Sequence, residues 1–358
     1  MRPDTKALCV ALVSLFLAGC GARNLAPALY AAASSAGTSA DAPVSVVPPW
    51  IHPFMLRTEP SQPFVYDDKK HKKKMVGLYA AQFDGPDLLG YVSPNKKDEK
   101  AICHVAASFV NGFSVDNLGD LVVPNGYPAA VSVYKGPHAC KTLVGKFTDS
   151  YGQASDAVAA DATTGTIVVG NIEESASKKV GNIAVCTLKG GCTRVLHSSH
   201  IGYYGGGVAY AKTTGDCWIS SEDNPSFSKA TLTFFKACKG SGQAATGWKN
   251  AFYGGLMRDH GGHLISVDWE TPAIWVYDGC NPGCKVVGGP FPLNGDSFYG
   301  NLNSKGDELA IGDIAYGQVD VYSYKPTSVT YLYSFHKGLN QEYDVEAGAF
   351  AANVVKKK

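Results

Sequence analysis

From Phe113 onward the chain alternates short apolar runs with polar punctuation at a regular interval. The segments FSVDNLGDLVVPN (Phe113–Asn125), AVAADATTGTIVVGN (Ala157–Asn171), VAYAKTTGDCWISS (Val208–Ser221), LMRDHGGHLISVD (Leu256–Asp268) and LNSKGDELAIGD (Leu302–Asp313) share one plan. An apolar strand leads to Asp, Asn or a small residue, then to a glycine turn, then to a second strand rich in Val, Ile and Leu. The turn glycines Gly119, Gly165, Gly215, Gly262 and Gly306 are 46, 50, 47 and 44 residues apart. Each hairpin is followed by a third alternating run, such as VSVYK (Val131–Lys135) or VDVYSY (Val319–Tyr324), and a fourth, such as CTRVLH (Cys192–His197) or TYLYSF (Thr330–Phe335). Four strands per unit at this period predict a β-propeller, with strands a to d running from the axis outward in each blade.

The two ends predict a further blade. MVGLYAAQF, LLGYVSP and KAICHVA read as strands b, c and d with no strand a before them, and VEAGAFAANVV (Val345–Val355) reads as a strand a with no successor. Paired, they give an all-β, six-bladed β-propeller of four-stranded antiparallel blades, its ring closed by a C-terminal strand on the N-terminal blade and free of exposed edges at the seam. The 40 glycines and 19 tyrosines among 358 residues agree with many short strands and tight turns.

The opening residues predict an address rather than a fold. In MRPDTKALCVALVSLFLAGC, Arg2 and Lys6 precede an apolar stretch too short to span a bilayer, which ends in small residues. Leu17-Ala18-Gly19-Cys20 resembles the lipobox of bacterial lipoproteins, which implies that Cys20 carries a lipid anchor of the palmitate kind; the other reading is an ordinary secretory signal with an incidental cysteine. The organisation expected is a signal peptide over 1–20, an Ala/Ser/Pro-rich tether over 21–74 that ends in a lysine run, and a propeller over 75–358. A lipoprotein of this kind belongs to the cell envelope, outside the cytoplasm, on an outer membrane facing the periplasm where the organism has one. The basic runs Lys69–Lys74 and Lys356–Lys358 converge if the ring closes, and they are either solvated ends or a contact with anionic headgroups. A net charge of +1 argues against nucleic acid as a partner. The chain is expected to be a monomer.

An exported chain is free to form disulfides. Beyond Cys9 and Cys20, Cys186 and Cys192 flank one c-to-d turn, Cys280 and Cys284 flank another, and Cys217 and Cys238 fall side by side on strands b and c. Cys103 and Cys140 are left to pair by elimination. Zinc at Cys280 and Cys284 is the rival reading, but no second cysteine or histidine pair accompanies them. HGGH (His260–His263) falls in an a-to-b turn, where Gly261 and Gly262 are expected to supply positive backbone angles.

Three near-copies, YYGG (Tyr203–Gly206), FYGG (Phe252–Gly255) and FYGN (Phe298–Asn301), open strands a at the mouth of the central channel. Tyr203, Tyr204, Phe252, Tyr253, Phe298 and Tyr299 are therefore candidate ligand-rim residues, suited to sugars or peptide segments, unless the rings wedge between blades. The repeat resembles the extracytoplasmic six-bladed propellers of the NHL and gluconolactonase-like kind. That resemblance implies an alternative, a metal-dependent hydrolase holding calcium or magnesium at the channel mouth, for which Asn111, Asp156, Asn301, Asp344 and Glu346 are the candidate oxygen ligands. The sequence has no Walker loop, nucleophile elbow or dinucleotide motif. The leading expectation is a non-catalytic, cofactor-free lipoprotein that binds a saccharide, peptide or envelope protein on its channel-mouth face or serves as a scaffold.

Overall fold

The structure is a computed structural model that describes residues 77–82, 87–91, 101, 103–107, 110–116, 119–136, 142–172, 180–187, 190–202, 204–222, 229–269, 271–336, 339 and 345–351. All of them lie in one compact unit, Trp50–Lys358. The signal sequence with Cys20, the tether and both lysine runs lie outside the described residues.

The described strands are β1 (Leu78–Gln82), β2 (Asp87–Tyr91), β3 (Cys103–Ala106), β4 (Ser114–Val115), β5 (Leu121–Asn125), β6 (Ala130–Tyr134), β7 (Leu143–Thr148), β8 (Ser155–Asp161), β9 (Thr166–Asn171), β10 (Asn182–Thr187), β11 (Gly191–Leu196) and β12 (Tyr204–Tyr210). They continue with β13 (Cys217–Glu222), β14 (Ala230–Phe235), β15 (Gln243–Ala244), β16 (Leu256–Arg258), β17 (Leu264–Asp268), β18 (Ala273–Gly279), β19 (Cys284–Pro292), β20 (Ser297–Leu302), β21 (Glu308–Asp313), β22 (Gln318–Lys325), β23 (Ser328–Phe335) and β24 (Val345–Phe350). One 3-10 turn, Lys236–Cys238, is the sole helical element among the described residues.

These strands build a propeller-like ring of four-stranded antiparallel sets, as the repeat predicts. Four sets are separate sheets: β4–β7, β8–β11, β12–β15 and β16–β19. The remaining strands form one eight-stranded sheet in the order β23-β22-β21-β20-β24-β1-β2-β3, so the sheets number five where six separate blades are expected. Its two halves join where β20 and β24 run parallel, with Tyr299 opposite Ala347 and Gly300 opposite Gly348. Within it β24 lies antiparallel to β1, from Leu78 opposite Phe350 to Gln82 opposite Val345.

Burial explains the graded composition of the strands. The second strand of each set is covered on both faces and reads as a near-continuous apolar run, as in LVVPN of β5 and TIVVGN of β9. Outer strands such as β7 and β19 are mostly exposed or half-buried. A central cluster draws Tyr79, Phe113, Ala157, Val208, Tyr253, Phe298, Tyr299 and Ala347 from around the ring.

The turns follow the expected chemistry, with one exception. Gly119, Gly165, Gly215, Gly262 and Gly306 all have positive φ, between 68° and 88°. Gly261 is absent from the positive-φ glycines, because the tight turn after Asp259 needs only one left-handed residue, and Gly262 supplies it by donating its N–H to the Asp259 carbonyl. HGGH is therefore a turn: His263 Nδ1 lies 2.8 Å from Asp259 Oδ2, and the Tyr324 hydroxyl donates to the same oxygen at 2.9 Å.

Three expected disulfides are formed, Cys186–Cys192, Cys217–Cys238 and Cys280–Cys284, with Cα separations of 3.7, 5.2 and 3.9 Å. Cys186 faces Cys192 directly across the β10–β11 hairpin, which brings their α-carbons closer than the common disulfide range. Cys103 is also disulfide-bonded, and Cys140 lies outside the described residues.

Candidate functional site

The loops that enter each innermost strand and the loops that join the second strand to the third share one end of the ring. Two backbone bonds tie them there: Ser155 N–H donates to Gly126 O, and Ile314 N–H to Asp296 O. A polar residue ending the second strand anchors this end. Asp268, at the end of β17, accepts from the N–H groups of Ala251 and Phe252 at 2.6 and 3.1 Å, and so fixes the start of FYGG. Asn171, at the end of β9, donates to Asp149 and to Asn182 at 2.8 and 2.9 Å. Asp313, at the end of β21, accepts from Tyr316 N–H and from the Gln318 side chain, both at 3.3 Å.

Behind these loops the channel is filled. Tyr253, Phe298 and Tyr299 are only 3 to 5% exposed, while Phe252 is half-buried. Their rings form a continuous packed chain with Trp269. Centroid separations are 4.9 Å for Phe252–Trp269, 5.1 Å for Trp269–Phe298, 5.2 Å for Tyr253–Phe298 and 4.5 Å for Phe298–Tyr299. The rings of Tyr253, Phe298 and Tyr299 thus point inward and are consumed by packing, and among the described rim candidates only Phe252 keeps a partly open face. Of Tyr204 only the backbone is described, and Tyr203 lies outside the described residues.

Glycines make room for this filling. An ideal Cβ on Gly206 would sit 2.3 Å from the Tyr253 ring, and one on Gly207 would sit 2.1 Å from the Gly254 carbonyl. Side chains at these points would push the innermost strands apart.

Tyr299 reaches furthest. From β20 it extends to β8, where its hydroxyl donates to Asp156 Oδ2. Asn111 Nδ2 donates to the other oxygen, Oδ1, at 2.5 Å. Asp156 is fully buried, and burial raises its carboxyl to about 6 against the opposing pull of the Tyr299 and Asn111 hydrogen bonds. Asn301 Nδ2 donates instead to Phe113 O at 2.9 Å. Glu346 is buried on β24, and Asp344 lies outside the described residues. Of the five candidate oxygen ligands, hydrogen bonding thus brings Asn111 and Asp156 together. Among the described residues no group of three or more His, Cys, Asp or Glu side chains gathers at metal-ligating distance.

A buried pair of carboxylates sits at the mouth. Burial, and then the nearby charge of Asp320, raise the Asp313 carboxyl to about 6, and burial raises Asp320 as well. Gln318 bridges them, donating at 3.3 Å to Asp313 and at 2.9 Å to Asp320.

The exposed aromatics of this end lie in the loops after the second strands. Tyr127 is 42% exposed, Tyr316 is 59% exposed, and Trp269 is half-buried beside Phe252. The sequence signal for them is an aromatic within three residues of the polar residue that ends the second strand: Asn125 before Tyr127, Asp268 before Trp269, Asp313 before Tyr316.

No protein-family model matches the chain, and no curated protein matches it. Solved structures do. A chain in the crystal structure of a nidogen/laminin complex aligns with a TM-score of 0.57 and 15% identity, over 77% of this chain and 98% of its own. A chain of Kuenenia stuttgartiensis hydrazine synthase aligns with a TM-score of 0.53 and 12% identity, over 76% of this chain and 86% of its own. At such identities the likeness shows the fold, a β-propeller, and the function has to be argued from the site.

Proposed function

We propose that the protein is a six-bladed, membrane-anchored envelope lipoprotein that binds a saccharide, peptide or envelope protein on its channel-mouth face and performs no chemistry there. The observation that carries this reading is the contrast at one end of the ring: Tyr127 and Tyr316 stand out to solvent and Phe252 and Trp269 are half-buried, while the channel behind is filled by Tyr253, Phe298 and Tyr299. Aromatic side chains at a loop-built face offer flat apolar contact at low entropic cost. Six blades are supported by the antiparallel register of β24 on β1, which makes β24, β1, β2 and β3 a four-stranded set like the others. The lipid anchor rests on Leu17-Ala18-Gly19-Cys20 alone.

The hydrolase alternative has less support. Both Asp156 oxygens already accept hydrogen bonds, from Asn111 and Tyr299, and Asn301 donates to a backbone carbonyl. Calcium or magnesium takes six or more oxygen ligands that are open to it. Asp156 and Asn301, as they are bonded, thus offer such an ion few open oxygens.

Retention of peptidoglycan fragments and oligosaccharides, compared between the wild type and Trp269→Ala and Tyr316→Ala, tests the face. Weakened retention in either variant, with unchanged melting, is expected. Retention equal in all three proteins sinks the reading, as does the absence of retention by the wild type together with no captured envelope protein that depends on these two residues.

A further inference from the structure

The Tyr299 ring sits in a slot cut by glycines from three other sheets. An ideal Cβ on Gly112 would lie 2.7 Å from the ring, on Gly206 2.9 Å from its hydroxyl, and on Gly255 3.1 Å from its ring edge. These glycines belong to or adjoin β4, β12 and β16, the ring itself comes from β20, and the slot ends on the Asp156 carboxylate of β8. Five strand sets thus meet around one phenol.

Two further features give the slot the chemistry of a ligand site rather than of packing alone. Asn111, 7% exposed and bonded to Asp156 at the slot's end, has an Oδ1 that is buried without a hydrogen-bond partner among the described residues. A core built only for packing would place an apolar residue there, because an unmade buried hydrogen bond costs about 1–3 kcal/mol. A continuous series of packed rings also runs from the slot toward partly exposed side chains, from Tyr299 through Phe298 to half-buried Trp269 and Phe252.

We propose that the slot between Gly112, Gly206 and Gly255, ended by Asp156 and Asn111, is a binding site for a phenolic or aryl-alcohol group, and that Tyr299 is its occupant in cis, displaced when an external ring enters along the Phe252–Trp269 track. This rests on the reading of the mouth face as a binding face, and supplies the chemical class that the face would accept. The flat walls admit a planar ring, and the carboxylate selects one that ends in a hydroxyl. No bond is made or broken: one donated hydrogen bond replaces another.

The probe is p-cresol, the side chain of tyrosine as a free molecule, with toluene as the control that lacks the hydroxyl. Both are titrated into the wild type, Tyr299→Phe and Tyr299→Ala, and followed by calorimetry and by melting temperature. Tyr299→Ala is expected to bind one p-cresol saturably, and toluene at least about tenfold more weakly, since a hydrogen bond to a buried charged acceptor is worth that factor or more. Tyr299→Phe retains a ring in the slot but loses the hydroxyl that holds it. As a weaker competitor in cis it is expected to bind p-cresol about fivefold or more tighter than the wild type does. Equal affinity of Tyr299→Ala for p-cresol and toluene overturns the proposal, because the slot is then an apolar hole. So does p-cresol affinity for Tyr299→Phe no greater than for the wild type, a result that stands even if Tyr299→Ala fails to fold. The outcome is separable from that of the face itself. Loss of p-cresol binding with envelope fragments still retained removes the slot and leaves the face, and the converse removes the face and leaves the slot.

Discussion

Replacing Asp156 with Asn removes a buried charge whose upkeep can be worked out from its surroundings. Asp156 is fully buried, and the groups that face it are the Tyr299 phenol and the Asn111 amide, both of which lower a carboxyl raised by burial. The rise from the ordinary 3.8 to about 6 corresponds to about 3 kcal/mol, at about 1.4 kcal/mol per tenfold change in ionisation. Because the folded value lies above the unfolded one, the folded protein binds the proton more tightly. The stabilising contribution is complete below about pH 4 and is lost as pH rises through about 6. An Asn at this position carries no charge and does not lose it. Its carbonyl still accepts from Tyr299, and its amide, in place of the oxygen that accepts from Asn111 Nδ2, donates to Asn111 Oδ1 once the Asn111 amide turns over. Urea unfolding of both proteins at pH 4 and pH 7.5 measures the difference, and Asp149, Asp313 and Asp320 titrate equally in both and cancel. The stability of Asp156→Asn relative to the wild type is expected to rise by about 2–3 kcal/mol between the two pH values. A relative stability that stays constant within about 0.5 kcal/mol, or falls, refutes the reasoning. The carboxylate would then be ionised in the folded state at no cost, and a cation would have to be sought beside it.

Other substitutions test other parts of the structure. Asp313→Asn is expected to gain stability on the same side, from about pH 4 upward, because it removes a carboxyl raised by burial and by the Asp320 charge; titration of the Asp320 carboxyl by NMR reads the coupling, a fall in that carboxyl is expected in the variant, and an unmoved Asp320 contradicts it. Gly207→Ala would set a methyl 2.1 Å from the Gly254 carbonyl and should cost about 2 kcal/mol or more in a thermal melt; an unchanged melting temperature would mean that the inner strands have room to spare. Melting in EDTA and then in excess calcium is expected to give superimposable curves, whereas a clear rise with calcium would restore the hydrolase alternative. Cys20→Ser is expected to move the protein from the membrane to the soluble fraction, and continued membrane association would remove the lipobox reading.

Much of the fold is legible because its determinants are local. The a-to-b turn needs one residue at positive φ, glycine supplies it at least strain, and so Gly119, Gly165, Gly215, Gly262 and Gly306 mark the repeat without reference to anything distant. Strand order within each set follows from short connections between antiparallel neighbours, which gives the hairpin disulfides Cys186–Cys192 and Cys280–Cys284 directly. The number of sheets is a different kind of property. It depends on whether neighbouring innermost strands come close enough to bond, as β20 and β24 do, and there a Cβ on Gly348 would lie 2.5 Å from Val319 and one on Gly312 2.4 Å from the Ala347 nitrogen. Glycine there reads in the sequence as one more turn signal, because its meaning lies in what approaches it.

The same distinction governs the site. The aromatics of FYGG and FYGN mark the entry of strand a by their place in the repeat, but where a ring goes is decided by what lies opposite it, and opposite Tyr299 are Gly112 and Gly206, each far away in sequence. Asp156 is marked by its own place in the repeat as an oxygen ligand at the channel mouth, and nothing local connects it to a tyrosine 143 residues further on. One hydrogen bond makes them partners and gives each an occupation that its local context does not announce: the ring packs inward, and one carboxylate oxygen accepts from it. Under the proposed function, the surface that would meet a partner therefore lies further out, at Tyr127, Trp269 and Tyr316. The interior holds a buried carboxylate and an amide oxygen without a hydrogen-bond partner among the described residues, which packing alone would have exchanged for apolar groups.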